Sequence, residues 1–301
     1  MLPTHESSES FSNNTFSNTS FHSSLKTSSA TSVCHSNAAA SPLTSVHTSN
    51  TLPPALHNVL TKRLKQLLSE PELLQKHLYS RLISAEDSCL AQKRPLLPMA
   101  DLALVYELRF TRDEFPEAFT MPPFESPLSD GNAAFSLSID HTLLKAMNMS
   151  PSELFTATAR TMQQRHPAQI SSMEEVLGFP VPAEPVLVVI TNAESHHGAG
   201  AILYDGVAEQ VAAILEDFFI LPSSIHEVLA VRRSARLSIA ELKKLVQNVN
   251  QQEVVPEERL SNHVYKLIKN PDKNSASPAY ILAYADDYDL DIQNSEKEVL
   301  T

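Results

Sequence analysis

Residues 218 to 231 read FFILPSSIHEVLAV, and no other stretch limits the fold so much. Two short apolar runs flank Pro222 and the pentad Ser223, Ser224, Ile225, His226 and Glu227. Pro222 has no N–H to give a sheet ladder, and neither run has the length of a helix. The two runs are therefore predicted to be strands that double back through a tight bend.

The chain before and after the bend repeats this order. VLVVIT, from Val186, is a continuous apolar run, the pattern of a strand covered on both faces. The chain is expected to turn through NAESHHGAG, return as a strand AILY, and form a helix carrying Val207, Val211, Ile214 and Leu215. Beyond VLAV, Ser238 and Glu241 have capping-box spacing for a helix with Leu242, Leu245, Val246 and Val249 inward. Residues 186 to 250 thus read as two strand-turn-strand-helix units. They predict an α+β fold with an antiparallel or mixed sheet and its helices on one face.

N-terminal to these units, Leu56, Leu60, Leu64, Leu67 and Leu68 recur at helical spacing, and Ser69 with Glu72 resembles a capping box for a second helix. ADLALVYELRF puts Leu102, Leu104, Tyr106, Leu108 and Phe110 on one face with Glu107 and Arg109 opposite, a half-buried strand. AFSLSI alternates in the same way. A long Pro-rich loop, residues 112 to 133, joins the two. Ser150, Pro151 and Glu153 mark a helix start, with an end expected near Arg165, and HVYKLI from His263 is a last strand.

The ends differ in composition. Residues 1 to 51 are dominated by Ser, Thr and Asn without helical or strand period, and are expected to be disordered. From Asp286 the chain turns acidic, the composition of a solvated tail. The folded domain is then expected over residues 52 to 285.

Charge and cysteine content narrow the function classes. With 35 acidic and 23 basic residues the net charge is −12, which argues against nucleic acid and anionic membranes as partners. The basic runs KRLK and RRSAR, the latter with Arg232, Arg233 and Arg236, are short and carry no interleaved aromatic residues. Only Cys34 and Cys89 are present, so neither a disulfide framework nor a thiolate metal cage is expected. With no basic leader and no apolar span, the expected location is the cytoplasm.

YSRLI, DLALVYELRF, ILPSSIHEVL and VQNVNQQEVVPEERLSNHVY together resemble an uncharacterised bacterial family, a domain of unknown function found mainly in anaerobic gut bacteria. The resemblance spans roughly residues 75 to 268. It implies no activity, substrate or catalytic residue, so no role passes from it to the pentad.

The pentad supports two readings. In the functional one the two turns share a sheet edge, gathering Ser195, His196 and His197 beside Ser224, His226 and Glu227. Catalytic roles would then fall to Ser224, His226 and Glu227, and a divalent metal to His196, His197 and His226. Neither HExxH nor a GxSxG elbow is present. In the structural reading the serines bond nearby backbone, and His226 is a partly buried imidazole. Gly198, Gly200 and Gly206 invite a phosphate-loop reading, but no Lys-Ser/Thr follows them. His141 after Asp140 reads as a surface or capping histidine. The sequence favours a binding or regulatory protein with a protein or small-molecule partner and no cofactor. The alternative is a hydrolase or metal-dependent enzyme centred on the pentad.

Overall fold

The computed structural model describes residues 54–85, 90–116, 134–222, 224–235, 237–271 and 277–285. The tails to residue 51 and from 286, residues 117–133 of the long loop, Cys34, Cys89, Ser223 and Arg236 lie outside these residues.

Two antiparallel sheets form, where the sequence pattern implied one. The first comprises β1 (Leu78–Ser84), β2 (Leu96–Met99), β3 (Leu102–Thr111) and β4 (Ala134–Ser138). β3 is its spine. β1 pairs along one edge, from Leu78 opposite Leu108 to Ser84 opposite Leu102. The other edge is shared, with β2 opposite Leu102 to Val105 and β4 opposite Glu107 to Thr111.

The second sheet comprises β5 (Ala168–Ser172), β6 (Leu187–Asn192), β7 (Phe218–Leu221), β8 (Val228–Arg232), β9 (Tyr265–Lys269) and β10 (Tyr280–Tyr284). Their order across the sheet is β10-β9-β7-β8-β6-β5. The eight helices among the described residues are α1 (Pro54–Ser69), α2 (Pro71–Lys76), α3 (Leu90–Lys93), α4 (His141–Ala146), α5 (Pro151–Arg165), α6 (Met173–Val176), α7 (Val207–Leu215) and α8 (Ile239–Gln252).

Local signals predicted several of these elements. Ser150 and Ser238 each accept the N3 backbone N–H of their helices, and Glu153 and Glu241 reach back to the cap N–H, completing both capping boxes. Ser69 does not cap α2. Its hydroxyl donates to the Gln66 carbonyl at 2.7 Å, and Glu70 occupies the N-cap without a side-chain bond.

AILY is not a strand. Residues Gly198–Leu203 form a 3₁₀ helix, so the first unit runs strand, turn, 3₁₀ helix, α7. Their apolar side chains do not extend the sheet. Ala199, Ala201 and Ile202 join the buried cluster with Leu82 and Leu104.

The core explains two further departures. Val188, Ile190, Ile220 and Ala230 face a large cluster reaching from Leu60 to Leu282, which also takes Val207, Val211 and Leu215 of α7. Val189, Phe219, Leu221, Leu229 and Val231 face a smaller cluster under Leu242 and Val246 of α8. Helices therefore cover both faces of the second sheet. β3 is likewise buried on both faces, because its polar face is closed by an ion pair. The Arg81 Nε lies 2.8 Å from Glu107 Oε1, and the two side chains are 4% and 2% exposed.

Candidate functional site

Residues 224–227 of the pentad form a compact turn between β7 and β8. Its ends are tied by the Ser224 N–H donating to the Glu227 carbonyl at 3.3 Å, while the Ser224 hydroxyl accepts the His226 N–H at 3.1 Å. Ile225 is 3% exposed and anchors the turn in the core. Its N–H donates to the Glu258 carbonyl at 2.9 Å, which ties the turn to a short 3₁₀ helix, Pro256–Glu258.

The two turns expected to share an edge do meet. The His226 carbonyl accepts from the Gly198 N–H at 2.9 Å and from the Thr191 hydroxyl at 2.8 Å, and the Ile225 carbonyl accepts from the Ala199 N–H at 3.2 Å. This approach is why residue 198 is glycine. A Cβ there would collide with Thr191 Oγ1 and lie 2.5 Å from the Asn192 nitrogen and 2.8 Å from the His226 oxygen.

Asn192, fully buried at the end of β6, shapes the loop that brings the histidines in. Its Oδ1 accepts from the N–H groups of Glu194 and His196 at 3.1 and 3.3 Å, and its Nδ2 donates to the His196 carbonyl at 2.9 Å. From the first sheet, the Tyr79 hydroxyl donates to the same carbonyl at 3.0 Å. Ser195 and His197 have φ of 51° and 50°, a left-handed backbone that costs a residue with a Cβ about 1 kcal/mol or more.

Three imidazoles result. Ring centroids are 4.0 Å apart for His196 and His197, 5.0 Å for His196 and His226, and 5.5 Å for His197 and His226. His226 Nδ1 accepts the His197 backbone N–H at 3.2 Å, and its Nε2 lies 3.3 Å from Glu258 Oε1. The ring is thus the Nε2–H tautomer, with its lone pair already used. Burial lowers the His196 ring to about 3 and takes His197 well below the usual histidine value, with the Arg109 and Arg81 charges acting the same way. Burial raises the Glu227 carboxyl against the opposing effect of His226.

The His197 and His226 rings lie 12° from parallel, so their nitrogens do not converge on a common point. Among the described residues, no group of three His, Cys, Asp or Glu side chains is arranged to hold a metal ion.

Behind the loop lies a charged layer that the sequence did not reveal. Glu194 binds Arg109 Nη1 and His166 Nδ1, each at 2.9 Å. Burial would raise its carboxyl, but the His166 hydrogen bond and the Arg109 charge outweigh burial and hold it down to about 2. The Arg109 guanidinium lies 4.5 Å over the Tyr79 ring, and burial pushes the Tyr79 hydroxyl up to about 12.

A second polar cluster escaped the sequence reading as well. Asp101, in the β2–β3 turn, accepts from the Ser261 hydroxyl at 2.7 Å and from the Tyr265 hydroxyl, and lies 3.3 Å from His263 Nδ1. Ser261, His263 and Asp101 are catalytic residue types, yet all three meet at Nδ1 and no serine-to-Nε2 relay forms. The cluster fastens the first sheet to β9. Its only sequence hint is the Ser-Asn-His run before Val264.

The remaining candidates have local duties. His141 opens α4 and its Nε2 meets the Ala91 carbonyl at 3.0 Å, while Asp140 is the cap. Arg232 donates to the Ile214 carbonyl at 2.9 Å, and Arg233 pairs with Asp217 at 3.0 Å. A Cβ added at Gly200 would make only ordinary contact, 3.4 Å from Leu104 Cδ1, while Gly206 has φ 79°, so a turn accounts for the second of these glycines. No helix among the described residues is long and apolar enough to cross a membrane.

Two surface cavities are present away from the histidines. One, of about 340 Å³, lies among α7, β7, β9 and Tyr280. The other, of about 300 Å³, lies between Phe155, Arg160 and Tyr204.

No curated protein and no solved structure matches the chain. The match to a known family begins at residue 124, later than the sequence resemblance suggested, so it includes the pentad and VNQQEVVPEERLS but neither YSRLI nor DLALVYELRF. Residues 124–269, through the end of β9, match a family of unknown function, DUF5688.

Proposed function

We propose that the chain is a cytoplasmic binding or regulatory protein in which the Ser224, His226 and Glu227 turn is a structural joint. The supporting observation is the double engagement of the His226 ring, by the His197 N–H at Nδ1 and by Glu258 at Nε2. A general base needs a lone pair aimed at the proton it removes, and this ring has spent its own on backbone. The Ser224 hydroxyl is turned to the His226 N–H rather than to the imidazole.

The partner in this reading is a protein or small molecule, and no cofactor is required. Nucleic acid is disfavoured by the net charge of −12 and by the ion pairs that occupy Arg232 and Arg233. The test is a broad esterase, phosphatase and peptidase substrate panel with the wild type and His226→Ala. No turnover is expected. Turnover that disappears in His226→Ala overturns the proposal.

One observation favours a second reading. Glu227 is a carboxyl kept toward its protonated form by burial beside His226, the arrangement of a general acid. In that case activity would fall as pH rises and be lost in Glu227→Gln. A divalent ion on His196, His197 and His226 would further require stoichiometric metal in untagged protein.

A further inference from the structure

The stretch from the end of α6 to the start of β6 gathers exposed apolar residues. Of the six large hydrophobic residues left exposed among the described residues, four lie here, Val176, Phe179, Val181 and Val186, and Phe179 is the most open at 61%. A single exposed apolar residue needs no explanation, whereas a group at one place marks a contact surface.

The backbone of this stretch is set in advance. Pro180 and Pro182 lock their own φ at about −65° and push the residues before them, Phe179 and Val181, toward extended or polyproline II values. The run has neither turn nor bend until Ala183, and residues 180 to 184 make no backbone hydrogen bond with the described residues. Both ends are pinned. The Phe179 N–H donates to the Glu174 carbonyl at 2.8 Å, and the Pro185 carbonyl accepts from Arg232 Nε at 3.3 Å. At about three residues per polyproline II turn, Phe179 and Pro182 fall on one face.

We propose that Phe179–Pro182 is a preformed polyproline II ligand, taken up by an aromatic-lined groove with basic edges on a partner protein. The proposal rests on the binding reading above and names the class of partner. A polyproline II segment that is already ordered loses little entropy on docking, and its exposed rings and unpaired carbonyls match grooves built of aromatic side chains.

Charge supplies the basic edges. Glu175 and Glu184 stand exposed on either side of the tetrapeptide, and the sequence has no Lys or Arg between Arg165 and Arg232. Arg232 itself is engaged by the Pro185 and Ile214 carbonyls and by Glu216. Lys or Arg beside the groove complements this surface, whereas a second copy of a chain with net charge −12 is repelled.

The experiment displays on phage a library of WW domains, with the groove aromatics kept and the surrounding loop positions randomised, and selects binders to the full-length protein. Affinities of the selected domains are measured for the wild type, for Phe179→Ala, for Pro182→Ala and for the double variant Glu175→Gln, Glu184→Gln. A synthetic peptide of residues 177 to 186 serves as competitor. We expect at least about tenfold weaker binding to Phe179→Ala and to Pro182→Ala, a smaller loss with the charge variant, and displacement by the peptide. Selected domains that bind Phe179→Ala and Pro182→Ala as they bind the wild type overturn the proposal, as does a selection that yields none. An unchanged affinity for the charge variant overturns the basic edges. Self-association of the wild type that is lost in Phe179→Ala would assign the segment to a second copy and overturn the proposal as well. Peptide competition reads the segment even if a variant folds poorly. Turnover lost in His226→Ala would instead remove the binding reading itself, whatever the domains do.

Discussion

The His197 and His226 rings stack 12° from parallel, and His226 Nδ1 accepts the His197 backbone N–H at 3.2 Å. One imidazole therefore closes the joint between two loops 29 residues apart in sequence. The joint sits where the first sheet, through Tyr79, reaches the second. Four expectations follow from it and from its surroundings.

The glycine at the joint cannot carry a side chain. Gly198→Ala would drive a methyl into Thr191 Oγ1 and the His226 carbonyl, both fixed by strand pairing and hydrogen bonds. Urea unfolding should show a loss of about 3 kcal/mol, the range of overpacking with backbone shifts. Gly178→Ala makes a control for a different cost, since nothing lies within 4 Å of its added Cβ and only its φ of 72° is strained.

Acid should weaken the fold in two stages. His196 and His197 are held below the ordinary histidine value of about 6.5, so the unfolded chain binds more protons and stability falls as pH drops below that value. Glu194, lowered to about 2, and Asp101, also lowered, contribute stability above the ordinary carboxylate range that is lost as pH falls toward their folded values. Both residues are half-buried rather than fully enclosed, so the upper stage should amount to roughly 1–2 kcal/mol between pH 7.5 and 5. His197→Asn keeps a residue that tolerates the left-handed backbone and should flatten that stage in denaturant titrations at the two pH values.

The ion pair inside the first sheet should be costly to break. Glu107→Leu removes the carboxylate from an Arg81 side chain only 4% exposed and should lose about 3–5 kcal/mol in equilibrium unfolding. The double variant Arg81→Met, Glu107→Leu should recover part of that loss, because Arg81 no longer stays buried without its carboxylate, whereas the buried Arg94 loses the Glu107 charge in both variants. A single variant as stable as the wild type would show that water reaches the pair.

Short-range chemistry was legible in the sequence. The Ser150 and Ser238 capping boxes, the alternation through Leu102 to Phe110 and the bend at Pro222 all depend on residues within a few positions of one another. The expectation that the His196–His197 and His226 turns share an edge assumed two hairpins, and the first does not form. The turns meet instead through the 3₁₀ helix Gly198–Leu203 and its N–H bonds to the Ile225 and His226 carbonyls. What could not be read is set by distant partners. Glu107 looks solvent-facing until Arg81 arrives from β1, 26 residues earlier. Tyr79 meets His196 across 117 residues, and Asp101 meets Ser261 across 160. AILY has the composition of a strand, but those apolar side chains are taken up by the core beneath Leu104 rather than by a ladder. Even the splitting of the strands into two sheets rests on such long-range packing.

The most direct test of the central claim is the stability of His226→Ala in the full-length protein, measured by denaturant unfolding at neutral pH. If the ring is a structural joint, its removal leaves the His197 N–H without an acceptor and Glu258 without its imidazole, and stability should fall by about 2 kcal/mol. An unchanged or higher stability would contradict the account, since that is the behaviour of a residue retained for chemistry at the expense of the fold.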